Sequence, residues 1–154
     1  MTYLLFKWLH ILGATVLFGT GAGIAFFMWR AHRTGDAKII ASVAADVVRA
    51  DAWFTATAVL LQPVTGYLMM TRAGWTLAAA WIRGSLWLYV VIGCCWLPVV
   101  WLQLKMRDLA RRAAEANEPL GSSYHRYYRC WFLLGWPAFA GVLLVMWLMV
   151  AKPA

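Results

Sequence analysis

Four stretches of this chain, each 20 to 22 residues long, contain no Asp, Glu, Lys or Arg: residues 8–29, 52–71, 84–104 and 130–151. Since an α-helix rises about 1.5 Å per residue, roughly 20 residues cross the hydrocarbon core of a bilayer. Backbone polar groups find no partners in lipid, so each stretch is expected to be helical. The pattern predicts one all-α domain over residues 1–154, an integral membrane four-helix bundle whose first helix begins near residue 4.

The composition agrees with a membrane protein. Hydrophobic residues make up 64% of the chain and charged residues 13%, whereas soluble domains average about 45–50% and about 25%. The net charge of +8 does not indicate a nucleic-acid partner, because the basic residues lie in short segments between apolar spans and no nucleic-acid-binding motif accompanies them. The lipid bilayer is the partner that this composition predicts.

The first linker, residues 31–51, begins with a turn at Gly35-Asp36 and continues with apolar side chains at helical spacing. These are Ile39, Ile40, Val43, Val47 and Val48. They share one face, which predicts an amphipathic helix leading into the second span. All six acids of the chain lie in this linker and in residues 105–129. We therefore expect no paired carboxylates for hydrolytic chemistry within the membrane.

The basic residues indicate an orientation. Ten of the 14 Lys and Arg residues lie in 30–51 and 105–129, and four lie on the opposite side of the predicted bundle. The positive-inside rule places the two long linkers in the cytoplasm. We expect a multi-pass protein of the bacterial inner membrane with both termini in the periplasm.

His10 is the only titratable side chain of the first stretch, and such a group at membrane depth marks a candidate functional site. It heads a face of mostly small side chains: Gly13, Ala14, Leu17, Gly21 and Ile24. In an antiparallel bundle, four methionines from the second and fourth spans lie near its level: Met69, Met70, Met146 and Met149.

Three interpretations of His10 stay open. In the first, the glycines only allow helices to approach and His10 forms a hydrogen bond within the bundle. In the second, His10 is an axial ligand of a b-type haem, and Met69, Met70, Met149 or a second histidine completes the pair. In the third, His10 and these thioethers bind copper, since imidazole and methionine sulfur suit Cu(I).

His32 and His125 both fall at the predicted cytoplasmic end. Each lies next to arginine, which favours solvated interfacial positions. The alternative is a second pair of cofactor ligands or a site for haem propionates, so both residues stay among the candidates for cofactor binding.

Several motifs resemble a bacterial family of predicted integral membrane proteins of unknown function. They are Lys7-Trp8-Leu9-His10-Ile11-Leu12-Gly13, Leu61-Gln62-Pro63-Val64-Thr65-Gly66, Trp96-Leu97-Pro98-Val99-Val100-Trp101-Leu102-Gln103 and Gly135-Trp136-Pro137-Ala138-Phe139. The resemblance covers nearly the whole chain and implies a membrane protein without naming an activity.

A more distant resemblance reaches the HemJ-type protoporphyrinogen oxidases and the CopD-type copper-resistance proteins. HemJ-like proteins begin with a similar Lys-x-x-His, seen here as Lys7 and His10, and end in Lys-Pro, seen here as Lys152-Pro153. They bind haem, and the likeness implies that His10 is an axial ligand. The segment Asn-Glu-Val-Pro of HemJ corresponds to Leu134-Gly135-Trp136-Pro137 here, so the carboxylate is missing.

The sequence therefore predicts a haem-binding membrane protein with His10 as ligand. Its expected role is electron transfer, or oxidation of a quinone-like or porphyrinogen-like molecule as a haem-dependent membrane oxidoreductase. A CopD-like copper-handling protein and a cofactor-free structural subunit are the alternatives. Gly19 and Gly23 form a Gly-xxx-Gly motif, which predicts a homodimer.

Overall fold

A computed structural model describes residues 1–153 and shows an all-helical chain. Five α-helices and one π-helical turn follow one another, and each connection between them is short. They are α1 (Thr2–Thr34), α2 (Ala37–Ala50), the π-turn (Asp51–Thr55), α3 (Ala56–Arg72), α4 (Ala80–Ala116) and α5 (Ser122–Ala151).

The reversal between α1 and α2 follows from two residues. Gly35 adopts a left-handed conformation with φ 67°, and its N–H bonds the carbonyl of His32; a residue without Cβ ends a helix this way at little cost. Asp36 then caps α2, because its carboxylate accepts hydrogen bonds from the backbone N–H groups of Lys38 and Ile39. The chain thereby turns back on itself with both helix ends satisfied.

Three helices are long and apolar enough to cross a membrane: Thr2–Thr34, Ala80–Ala116 and Ser122–Ala151. The predicted second span is not one of them, because α3 alone has 17 residues. It is nevertheless part of a longer run, since α2, the π-turn and α3 continue without a break from residue 37 to residue 72. α4 extends beyond its uncharged stretch to Ala116, and Asn117, which is left-handed with φ 53°, caps it.

The helices pack most closely at the end that carries α2, which we call the α2 end. Here α2 lies against α1 and α4. The largest fully buried apolar side chains of the chain meet here: Met28, Ile40, Met106 and Tyr124.

Away from the α2 end, the helices form two pairs. α1 packs on α3, and α4 packs on α5. Many apolar side chains point outward, such as Leu60 and Leu133, as expected for surfaces in contact with lipid. Between the two pairs lies the cavity that contains the candidate site.

Candidate functional site

A cavity of about 740 Å³ separates the two helix pairs and runs along most of their length. Its walls are almost entirely apolar and aromatic. Among the described residues that line it there is no Lys or Arg, and Asp51 is the one acid. His10 lines one end and Asp51 the other, and we call these regions the His10 end and the Asp51 end.

At the His10 end, a hydrogen bond to Thr65 favours one tautomer of the imidazole. The hydroxyl of Thr65, which is 2% exposed, donates to the carbonyl of Leu61 over 2.8 Å. Its oxygen lies 2.8 Å from Nδ1 of His10, so with the hydroxyl hydrogen directed to Leu61 it accepts from the Nδ1–H tautomer. Nε2 then keeps its lone pair, and an imidazole held in this way is the form that binds metals.

Two glycines and a glutamine bring α1 and α3 close enough for this arrangement. The Gln62 side-chain amide donates to the backbone carbonyl of His10 over 2.9 Å. A Cβ on Gly13 would lie 2.6 Å from Nε2 of Gln62, and a Cβ on Gly66 would lie 3.4 Å from Cε1 of His10. A side chain at residue 13 would push the amide out of place, and the missing Cβ at residue 66 lets the imidazole lie in contact with the α3 backbone.

Pro63 creates a second polar contact in the cavity wall. Proline has no N–H, so the carbonyl of Val59 four residues earlier has no partner within α3. The Tyr89 hydroxyl of α4 donates to that carbonyl over 2.8 Å. The proline thus ties α3 to α4 across the cavity, and both Pro63 and Tyr89 line it.

The methionines predicted near His10 are all in the cavity wall: Met69, Met70, Met146 and Met149. Among residues 1–153, no group of three or more His, Cys, Asp and Glu side chains is placed to hold a metal ion. A metal at the His10 end would therefore need sulfur ligands from these methionines beside the imidazole.

His32 and His125 do not line this cavity. They lie near each other at the α2 end, with ring centroids 5.8 Å apart, and 22 residues of helix, about 33 Å, separate His32 from His10. The His32 ring stacks on Tyr128 at 3.5 Å. His32 and Tyr128 lie outside the uncharged stretches. Burial lowers the pKa of His32, and the charge of His125 lowers it further. Burial raises the pKa of Tyr128.

Asp51 is a cavity residue that the sequence analysis placed in a cytoplasmic linker. It is 5% exposed, and the indole N–H of Trp96 donates to its carboxylate over 3.2 Å. One signal could have found it. Ile40, Ala44 and Val47 are buried, and Asp51 continues their spacing of four, three and four residues, so the periodicity predicts that Asp51 faces inward.

Long apolar helices around an apolar cavity define a helical integral membrane protein. The chain belongs to the family of predicted integral membrane proteins DUF2269, whose model matches residues 4–153. The predicted membership of such a family is therefore confirmed. No curated protein and no solved structure matches the chain.

Proposed function

We propose that this protein binds a b-type haem in the cavity through Nε2 of His10 and takes part in electron transfer in the bacterial inner membrane. The observation that carries the proposal is the Thr65–His10 hydrogen bond, which favours the tautomer with the proton on Nδ1. A lone pair on Nε2 beside a large apolar cavity is what axial ligation requires.

The cavity suits a large apolar cofactor. Its volume of about 740 Å³ lies within the range of about 300–1,000 Å³ that is usual for ligand sites. Most side chains of its wall are apolar or aromatic. Met69, Met70 and Met149 line the same cavity, and the thioether of one of them would be the second protein ligand of the iron.

The bound haem would supply one-electron redox chemistry to a quinone-like or porphyrinogen-like partner. The chain's own part is to hold the His10 ring in one orientation and one tautomer, through Thr65 and the close backbone of Gly66. No acid or base stands beside His10 among the cavity-lining residues, so the proposal assigns no proton transfer to this end.

The absorption spectrum tests the proposal. Protein expressed in haem-replete cells and purified in detergent should show a Soret band, and His10→Ala should abolish it. His125→Ala is the matched control, since His125 lies outside the cavity, and should leave the band unchanged. Absence of the band from the wild-type protein, or its persistence in His10→Ala, would refute ligation by His10.

A copper site is the second candidate, and the four methionines in the same cavity favour it. Imidazole and thioether sulfur form a soft ligand set for Cu(I). Metal analysis of protein loaded with Cu(I) should then give bound copper without a Soret band. Replacement of Met69 and Met70 by Leu should reduce copper binding. Wild-type protein that binds neither haem nor copper would instead indicate a structural subunit.

We also propose that α3 crosses the membrane as a fourth span, which completes a four-helix bundle with both termini in the periplasm. The continuous helix from residue 37 to residue 72 supports this, as does the excess of Lys and Arg in the two long linkers. Reporter fusions at residues 36, 76, 118 and the C-terminus should alternate between cytoplasm and periplasm, with 36 and 118 cytoplasmic.

The homodimer predicted from Gly19 and Gly23 is part of the same proposal. A Cβ at either position would meet nothing within 4 Å, so neither glycine serves close packing within the chain. Such surfaces allow a second helix to approach. Gly19→Leu should then shift the detergent-solubilised protein to a monomer in light-scattering measurements.

A further inference from the structure

The carboxylate of Asp51 is buried without a compensating cation. It is 5% exposed, it takes part in none of the ion pairs among residues 1–153, and no Lys or Arg lines its cavity. The Trp96 N–H donates to it over 3.2 Å and the Thr55 hydroxyl lies beside it, and both of these groups are neutral. A buried carboxylate is costly without a proton or a positive partner.

Three further polar atoms of the cavity wall are buried without a geometrically formed hydrogen bond. They are the hydroxyl of Thr55, the side-chain oxygen of Gln103 and the indole N–H of Trp131. Gln103 is 3% exposed and Trp131 is 5% exposed, and both residues line the cavity. Native proteins leave few such groups unsatisfied, so each needs an explanation such as a bound ligand.

The backbone is unusual at the same place. Asp51 opens the π-turn that ends at Thr55, whereas the helices on either side are α-helical. Single π-turns within α-helices occur frequently at functional sites. The nearby cavity wall is aromatic, with Trp96, Trp131 and Phe132 among its residues.

We propose that the Asp51 end of the cavity binds the positively charged group of an apolar organic cation. The carboxylate compensates the charge, the Gln103 oxygen accepts a hydrogen bond where the cation offers one, and the aromatic faces attract the cation. The rest of such a molecule fits the apolar walls. Tyr67 and Trp136 of the lining are 62% exposed, so the cavity is open at its side and accessible to a ligand dissolved in the bilayer.

The groups proposed to hold the cation and the haem lie at opposite ends of one cavity. Asp51 and Thr65 are 14 residues apart in a continuous helical run, which corresponds to about 21 Å. Binding at the Asp51 end therefore does not depend on His10 or on any cofactor, and the test below is made on protein without added haem.

The test compares a permanent cation with a neutral molecule of similar shape. Tetraphenylphosphonium and triphenylphosphine oxide are measured by equilibrium dialysis against the detergent-purified chain, with empty micelles subtracted. Wild-type protein should bind the cation saturably and at least about tenfold more tightly than the neutral compound, a difference of about 1.4 kcal/mol. The same ratio is expected in His10→Ala.

Variants then locate the charge. Asp51→Asn keeps an oxygen that accepts from Trp96. It should weaken binding of the cation at least about tenfold and leave binding of the neutral compound unchanged. Asp51→Glu keeps the charge and should retain the preference for the cation. Asp46→Asn is the matched control, because Asp46 is exposed and pairs with Arg49, and should behave as wild type. Equal affinity of wild-type protein for the two compounds would overturn the proposal, as would an unchanged preference in Asp51→Asn.

Discussion

Replacement of Tyr89 by Phe should destabilise the bundle, because the Tyr89 hydroxyl bonds the carbonyl that Pro63 leaves without a helical partner. The bond to the Val59 carbonyl is 2.8 Å long, and it joins α4 to α3 where the cavity keeps the two helices apart. Phe keeps the ring and its packing, so the substitution removes the hydroxyl alone.

The structure sets the size of the effect. Loss of the hydroxyl leaves the Val59 carbonyl in an apolar wall without a donor, which costs about 1–3 kcal/mol. In Pro63→Ala the backbone N–H of residue 63 can donate to the same carbonyl through the ordinary α-helical bond. In the Pro63→Ala background, Tyr89→Phe should cost less than about 0.5 kcal/mol. The difference between the cost of Tyr89→Phe in the wild-type background and in this one is the coupling energy between the two positions.

Titration of detergent-solubilised protein with dodecyl sulfate, followed by far-UV circular dichroism, measures the free energy of unfolding of the four variants in this cycle. Tyr67→Phe is the control, since Tyr67 also lines the cavity but is 62% exposed, and it should cost almost nothing. The reasoning fails if Tyr89→Phe costs no more than Tyr67→Phe, or if its full cost persists beside Pro63→Ala.

Three further predictions concern other parts of the bundle. Thr65→Val removes the acceptor of the His10 Nδ1–H and should weaken haem binding about 10–100-fold in a haem titration, whereas Thr65→Ser should not. Gly141→Ala places a Cβ 2.6 Å from Cγ1 of Ile92 and should lower the free energy of unfolding by about 1–3 kcal/mol, a loss that Ile92→Ala should relieve. Burial lowers the pKa of His32 below 6.5, so His32 binds a proton more readily in the unfolded chain than in the folded one. Its contribution to stability is complete above about pH 6.5 and declines as the pH falls below that value, and dodecyl sulfate titrations at several pH values should show this decline reduced in His32→Gln.

The membrane helices were predictable because lipid leaves the backbone few choices. Absence of charge over residues 8–29, 84–104 and 130–151 identified the three helices that are long and apolar enough to span a bilayer. Their ends were less predictable, since α4 continues to Ala116 through a segment rich in charged side chains. A helix that emerges from the membrane keeps its hydrogen bonds whether or not it is apolar.

The candidate site was predictable only in part. The small face of α1 and the methionines that line the cavity follow from periodicity and antiparallel order. The bonds of His10 to Thr65 and Gln62 depend on the register between α1 and α3, which helical spacing within one helix does not determine. Asp51 was misplaced because charge, rather than the spacing of buried neighbours, was used to assign it to a linker.

The π-turn has a consequence for the rotational phase of the helix in which it lies. Its bond from the N–H of Ala56 to the carbonyl of Asp51 encloses one residue more than an α-helical bond, and each residue of an α-helix turns the chain by about 100°. Deletion of one residue from this turn would restore a regular α-helix and rotate α3 relative to α2, which would carry Thr65 away from α1. The chain can therefore satisfy different neighbours with one uninterrupted helix, α1 and α4 along its first half and mainly α1 along its second. Variation in length at these five residues would not be neutral.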